Sequence, residues 1–130
     1  MPSYTLHYFG GRGLGEVSRQ LFALSGTPFE DKRHNHDEWP QHRASTPFGQ
    51  LPVLEVDDKK IPQSWAIARY LAREFGYAGK TNFDQAWVDA LGDQFKDYAA
   101  EIRPYFMVVL GFGEGDLVSL FSLHNIHPTA

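Results

Sequence analysis

The stretch Pro47-Phe48-Gly49-Gln50-Leu51-Pro52-Val53-Leu54-Glu55-Val56, continued by Asp57-Asp58-Lys59-Lys60-Ile61-Pro62-Gln63-Ser64, decides how the chain is read. Residues 53–56 form a short apolar strand, Asp57-Asp58 a tight charged turn, and residues 59–61 the returning strand of a hairpin. Pro52 opens the first strand, where its missing N–H costs least. It also holds Leu51 in extended geometry, with the N–H and C=O of that residue left to bind something. Gln63 and Ser64 stand before an apolar-periodic run, and Ser64 is expected to be a helix N-cap. The N–H groups of a helix start suit an anion such as a carboxylate. Polar groups thus occur at the joints of a strand, a hairpin and a helix, and the arrangement reads as a site for a small extended peptide.

Working outward, Tyr4, Leu6 and Tyr8 alternate with Thr5, His7 and Phe9 as a first strand. A glycine cluster follows, then a helix over residues 16–25 with Val17, Leu21 and Leu24 at helical spacing and Gly26 as its C-terminal cap. Residues 28–33 read as a second strand, giving a β-α-β start and a parallel pair. Trp39-Pro40 begins an irregular or one-turn helical stretch. Residues 65–75 form a clear helix with Ile67, Leu71 and Phe75 on one face. The order β-α-β-β-β-α fits a small sheet with helices packed on it, an α/β domain over residues 1–78. Residues 79–130 form a second, partial all-α domain. Thr81 and Asp84 resemble a capping box there, and Trp87, Leu91, Phe95, Tyr98 and Ile102 form a long amphipathic stripe. Pro104 is expected to kink or end that helix, residues 111–115 to form a loop, and Asp116 to cap a further helix before an irregular tail.

Composition excludes several classes. A net charge of −4 offers no basic footprint for nucleic acid. The absence of cysteine removes disulfides, thiolate metal sites and a cysteine nucleophile. No apolar run has the length of a membrane span, and the first residues lack a basic and apolar leader, so a cytoplasmic protein without membrane contact is expected.

The glycines of residues 10–15 fail both the dinucleotide and the P-loop patterns, which leaves a flexible strand-to-helix turn. Tyr8 has two readings: an amphipathic core tyrosine, or a hydroxyl aimed at a ligand beside the helix start. In the second, the phenol donates to a bound thiolate and favours ionisation of a thiol that titrates near about 8.5 when isolated. The pairs His34/His36 and His124/His127 lack a third ligand and read as solvated loop histidines, so no metal is expected. Asp89, Asp93 and Asp97 share one helix face, either solvated or able to receive a cation or a ligand's amino group across a subunit interface.

Taken in order, Tyr4-x-Leu6-x-Tyr8-Phe9, Arg12-Gly13, Glu16, Trp39-Pro40, the run from residue 47 to 56, and Gln63-Ser64-x-Ala66-Ile67-Ala68-Arg69-Tyr70-Leu71-Ala72 resemble a cytosolic glutathione transferase of the sigma class, nematode type. That class is also similar to haematopoietic prostaglandin D synthase. The resemblance covers about residues 1–120 and implies a thioredoxin-like first domain, a helical second domain and a homodimer. It further implies that Tyr8 is catalytic and bonds the glutathione sulfur, and that Trp39 and Arg43 hold the glycyl end. Gly49, Gln50, Leu51 and Pro52 would line the tripeptide, with Leu51 pairing by its backbone and a cis bond before Pro52. Gln63 and Ser64 would take the γ-glutamyl carboxylate, and Asp97 would reach the amine from the partner subunit.

The implied function is conjugation of the glutathione thiolate to an apolar electrophile, with glutathione as co-substrate and no cofactor. Leu14 stands where relatives with prostaglandin isomerase activity carry arginine, and Lys96 interrupts an acidic set that relatives use for a cation. The resemblance fades after Leu120, as in a C-terminally truncated member. The alternative is therefore a non-catalytic glutathione-binding or structural protein, or one that pairs with full-length relatives.

Overall fold

A computed structural model describes residues 1–111. The chain divides into two compact units, the first Met1–Asp84 and the second beginning at Gln85. In the first unit β1 (Tyr4–Phe9), α1 (Glu16–Ser25), β2 (Glu30–His34), α2 (Trp39–His42), β3 (Val53–Val56), β4 (Lys59–Pro62) and α3 (Ser64–Phe75) follow one another. Single 3-10 turns occupy Gly13–Gly15 and Arg43–Ser45.

The strands form one sheet in the order β2-β1-β3-β4. β1 runs parallel to β2, as the intervening helix requires, and antiparallel to β3; β3 and β4 close the hairpin. Leu6 stands opposite Leu54, and Tyr4 opposite Val56. Because strand side chains alternate, these four share one face. With Phe22 of α1 and Ile67 and Leu71 of α3 they make the core, where Leu6, Leu54, Ile67 and Leu71 are wholly buried. Each such aliphatic side chain contributes about 1.5–3 kcal/mol by leaving water. Phe22 is the hub of the aromatic packing, stacked on Phe29 at 4.2 Å and edge-on to Tyr4 at 5.3 Å and Phe75 at 5.6 Å.

Several local expectations shift. The second strand starts at Glu30 rather than at residue 28, and β4 extends through Pro62. The buried stripe of α1 is Ser18, Arg19 and Phe22, with Leu21 partly buried, while Leu24 is 69% exposed. The helix is rotated so that Phe22, its largest apolar side chain, takes the core. Ser64 is the first residue of α3 rather than its cap. Gln63 holds the cap position with φ 75 and ψ 120, and no side-chain capping bond forms there. Gly26 ends α1 in the left-handed conformation, as expected, with its N–H on the carbonyls of Phe22 and Ala23.

α4 runs Asn82–Val109, and the Thr81 hydroxyl accepts the Asp84 N–H at 3.0 Å. Pro104 lies inside this helix instead of ending it. The ring removes one donor and crowds one carbonyl a turn earlier, and the remaining ladder carries the helix past it. Trp87, Leu91, Phe95 and Tyr98 of the apolar stripe are exposed. The expected loop at 111–115, apart from Gly111, the helix after Asp116 and the tail lie outside the described residues. Among the described residues no helix is long and apolar enough to cross a membrane.

Candidate active site

Register gathers the candidate residues. His7 faces Val53 across β1 and β3, and Val53 faces Pro62 across β3 and β4. One residue further along each strand, at the same end of the sheet, come Tyr8, Pro52 and Gln63. Leu51 precedes Pro52 through a cis peptide bond, as expected, and Ser64 follows Gln63 at the start of α3. Phe9 faces His34 at the end of β2, and the chain passes from there into α2, where Trp39 meets Phe9 edge-on at 5.8 Å.

The remaining expected residues join in pairs. The Gln63 amide donates from Nε2 to Gln50 Oε1 at 3.3 Å. Arg43 lies against Gly49, whose φ is +66. A Cβ at 49 would stand 3.2 Å from Arg43 Nε, so glycine there serves both the left-handed turn and the close approach. Trp39 and Leu51 border the same cavity. Asp97 is exposed on α4, in the second unit.

Tyr8 is half-buried, and its hydroxyl oxygen accepts the Leu14 N–H at 3.0 Å. That bond occupies one acceptor site of the phenol and leaves its O–H to donate elsewhere. Beneath the ring the backbone is pressed close. A Cβ on Gly13, whose φ is +38, would collide with the Tyr8 oxygen, and one on Gly15 would stand 2.6 Å from Tyr8 Cδ2. The glycine cluster is therefore more than a flexible turn: two of its members are the bed on which Tyr8 lies. Their spacing directly after a strand-ending tyrosine was the available signal, and periodicity alone could not say what they touch.

The opposite face of the sheet is polar. A cavity of about 160 Å³ opens there toward α2, bordered by His7, His34, His42, Glu55 and Lys60 among others. His34 is a strand residue, half-buried, not the solvated loop histidine expected: its Nε2 lies 2.9 Å from His7 Nδ1, and the rings stack at 5.1 Å. His7 Nε2 is 3.2 Å from Glu55 Oε1, close enough for an ion pair though out of line for a hydrogen bond. Burial pushes the pKa of both histidines down; the charge of His7 adds to this at His34, and Glu55 opposes it at His7. Among the described residues no group of three or more histidine or carboxylate side chains could hold a metal ion.

This fold, a β-α-β unit followed by a β-β-α unit on one four-stranded mixed sheet, is a thioredoxin-like domain. Residues 4–73 match the family model "Glutathione S-transferase, N-terminal domain", and the chain belongs to the glutathione S-transferase family. It is similar to the probable glutathione S-transferase 5 of Caenorhabditis elegans, 57% identical over 122 residues, 92% of this chain and 59% of that protein. A monomeric glutathione S-transferase of Necator americanus, Na-GST-3, is 55% identical with a TM-score of 0.88, covering 92% of this chain and 58% of that one. A Nu-class glutathione S-transferase of Haemonchus contortus is 60% identical with a TM-score of 0.83, covering 92% of this chain and 58% of that one. The chain thus spans about three-fifths of the length of these relatives.

Proposed function

We propose that the chain carries the glutathione-binding half of a glutathione transferase, which ionises the glutathione thiol and offers it to an apolar electrophile. The observation that carries this reading is the Tyr8 hydroxyl, seated on Gly13 and Gly15 and bonded by the Leu14 N–H, at the sheet end where Leu51, Gln63 and Ser64 also arrive. Trp39 and Arg43 would take the glycyl end of the tripeptide. Gly49, Gln50 and Pro52 would line it, the Leu51 backbone would pair with its cysteinyl part, and Gln63 and Ser64 would bind its γ-glutamyl carboxylate. Asp97 of a partner subunit would meet the amine.

In the reaction, the Tyr8 O–H donates to the sulfur and favours the thiolate, and the thiol proton passes to water. A new S–C bond forms as the leaving group departs with its electron pair. Holding the thiolate beside the electrophile supplies proximity, and the phenol supplies charge stabilisation. No metal or redox group is needed for these steps. Leu14 in place of an arginine beside the sulfur favours conjugation over prostaglandin isomerisation.

The ordered motifs support assignment to the sigma class, beside a Haemonchus contortus relative described as Nu-class. A homodimer, cytoplasmic residence, a detoxifying role and a domain division after residue 78 complete the reading.

The test is retention of the purified chain on immobilised glutathione, with conjugation of an aryl halide measured beside Tyr8→Phe. The expected result is retention of both and turnover about 10–100-fold lower in the variant. Retention with turnover indifferent to Tyr8 would overturn the enzymatic reading in favour of a binding protein.

A further inference from the structure

The turn that follows Tyr8 is gripped by two arginines. Arg19 of α1, only 7% exposed, donates from Nη2 to the Phe9 carbonyl at 2.8 Å and from Nη1 to the Gly11 carbonyl at 2.7 Å. Its Nε reaches Asp31 Oδ1 at 3.1 Å. Arg33 of β2 donates from Nη1 to the Gly10 carbonyl at 2.9 Å and from Nε to Asp31 Oδ2 at 3.0 Å, and its Nη2 is ion-paired with the same oxygen at 3.0 Å. Three consecutive carbonyls of the turn therefore end on two guanidinium groups, and one carboxylate bridges the pair.

A strand-to-helix turn ordinarily lies on the surface and leaves its carbonyls to water. Residues 10–14 are indeed exposed, yet the fold commits a nearly buried arginine to them. Burying that charge is costly unless its donors are met, and here the carbonyls and Asp31 meet them. What the grip holds in place is the segment that carries the Leu14 N–H to the Tyr8 oxygen and lays Gly13 and Gly15 under the ring. The Arg19 guanidinium carbon itself sits 5.6 Å from the centroid of that ring.

We propose that Arg19, Asp31 and Arg33 form a clamp that positions the Leu14 N–H on the Tyr8 oxygen and so directs the phenolic proton outward. The inference rests on the reading of Tyr8 as the group that meets the thiolate, and deepens it. With one lone pair taken by Leu14, the hydroxyl hydrogen is steered away from the turn. The incoming N–H also polarises the O–H and strengthens it as a donor. The effect is geometric, because Asp31 and Glu16, the latter 3.7 Å from Arg19, offset the two positive charges. All three are positioning residues. Lysine at position 19 would supply a single point charge and could not span two carbonyls and a carboxylate.

Amide hydrogen exchange of the unliganded full chain tests the clamp, comparing the unaltered chain with Arg33→Gln, Arg19→Lys and Tyr8→Phe. The Leu14 amide should exchange about tenfold faster in both arginine variants, approaching the Tyr8→Phe rate, while amides of β1 and β3 stay within about twofold. In the same variants the acid limb of the conjugation pH profile, which follows thiol ionisation, should move up by about half a pH unit, with kcat falling more than KM rises.

An unchanged Leu14 rate in both variants, or uniform acceleration of all amides, would overturn the proposal; the latter would mark a purely structural role. Should Arg19→Lys not fold, Arg33→Gln, at a half-exposed side chain, still decides. A chain that neither binds nor conjugates glutathione while Leu14 responds as described would support the clamp and overturn the transferase reading alone.

Discussion

The two faces of the sheet are made from alternate residues of the same strands, and they differ in kind. Toward α1 and α3 the strands present Tyr4, Leu6, Leu54 and Val56, a dry apolar layer. Toward α2 they present His7, His34, Glu55 and Lys60 around a small cavity. The first face fixes register, because a slip of one residue would turn Leu6 and Leu54 outward. The second seats the segment that bears Trp39. Tyr8 belongs to the first face by alternation but stands at its open end, where the core gives way to the turn. Stability and function are thus separable: substitutions in the dry layer should act on folding, those at the open end on chemistry, and those on the polar face on the pH response.

The largest effect should come from the dry layer. Leu54→Ala empties the centre of the core and should cost about 3 kcal/mol in denaturant unfolding. A loss below about 1 kcal/mol would mean the two faces are not so unlike. Next, Gly15→Ala drives a methyl group into the Tyr8 ring. It should cost about 2 kcal/mol through overpacking and lower conjugation about tenfold. Unaltered activity would show that the glycine bed does not set the tyrosine's place.

Gln63→Gly comes third and has the opposite sign in stability. Relieving a positive φ at a non-glycine residue should stabilise the chain by up to about 1 kcal/mol, while glutathione affinity, read by calorimetry, weakens about tenfold. Equal affinity would remove Gln63 from the site.

The smallest effect belongs to the polar face. His7 and His34 are held below the ordinary histidine value of 6.5, chiefly by burial. As pH falls, the unfolded chain takes up these protons first. Their contribution is therefore complete above that value and is lost as pH drops through it toward the lowered folded values. His34→Gln should shrink the difference between denaturant midpoints at about pH 7.5 and about pH 5.5. An undiminished difference would place the pH response elsewhere.

Much of this was legible in residue patterns. The alternation of Tyr4, Leu6 and Tyr8, the hairpin around Asp57-Asp58, and the helix carrying Ile67 and Leu71 all form where period and turn chemistry place them. Tyr8, Leu51, Gln63 and Ser64 were legible as polar joints, and strand register brings them to one end. The glycine bed, the Arg19–Asp31–Arg33 clamp and the His7–His34 pair were not. Each joins residues from different elements, and no periodicity encodes such contacts. The burial of Arg19 even inverts the apolar pattern of α1, because its charge is met by backbone carbonyls that composition does not reveal. The helix through Pro104 persists because a long hydrogen-bonded ladder outweighs one lost bond.

Under the proposed function, Tyr8 at the open end of the sheet makes a bound thiol into a thiolate. The direct measurement is the ultraviolet difference spectrum of glutathione bound to the chain near neutral pH, beside Tyr8→Phe, since it needs no second substrate. A thiolate band should be present with Tyr8 and largely lost in the variant at equal glutathione occupancy. A band of equal size in both, or bound glutathione that stays a thiol in the unaltered chain, would contradict it.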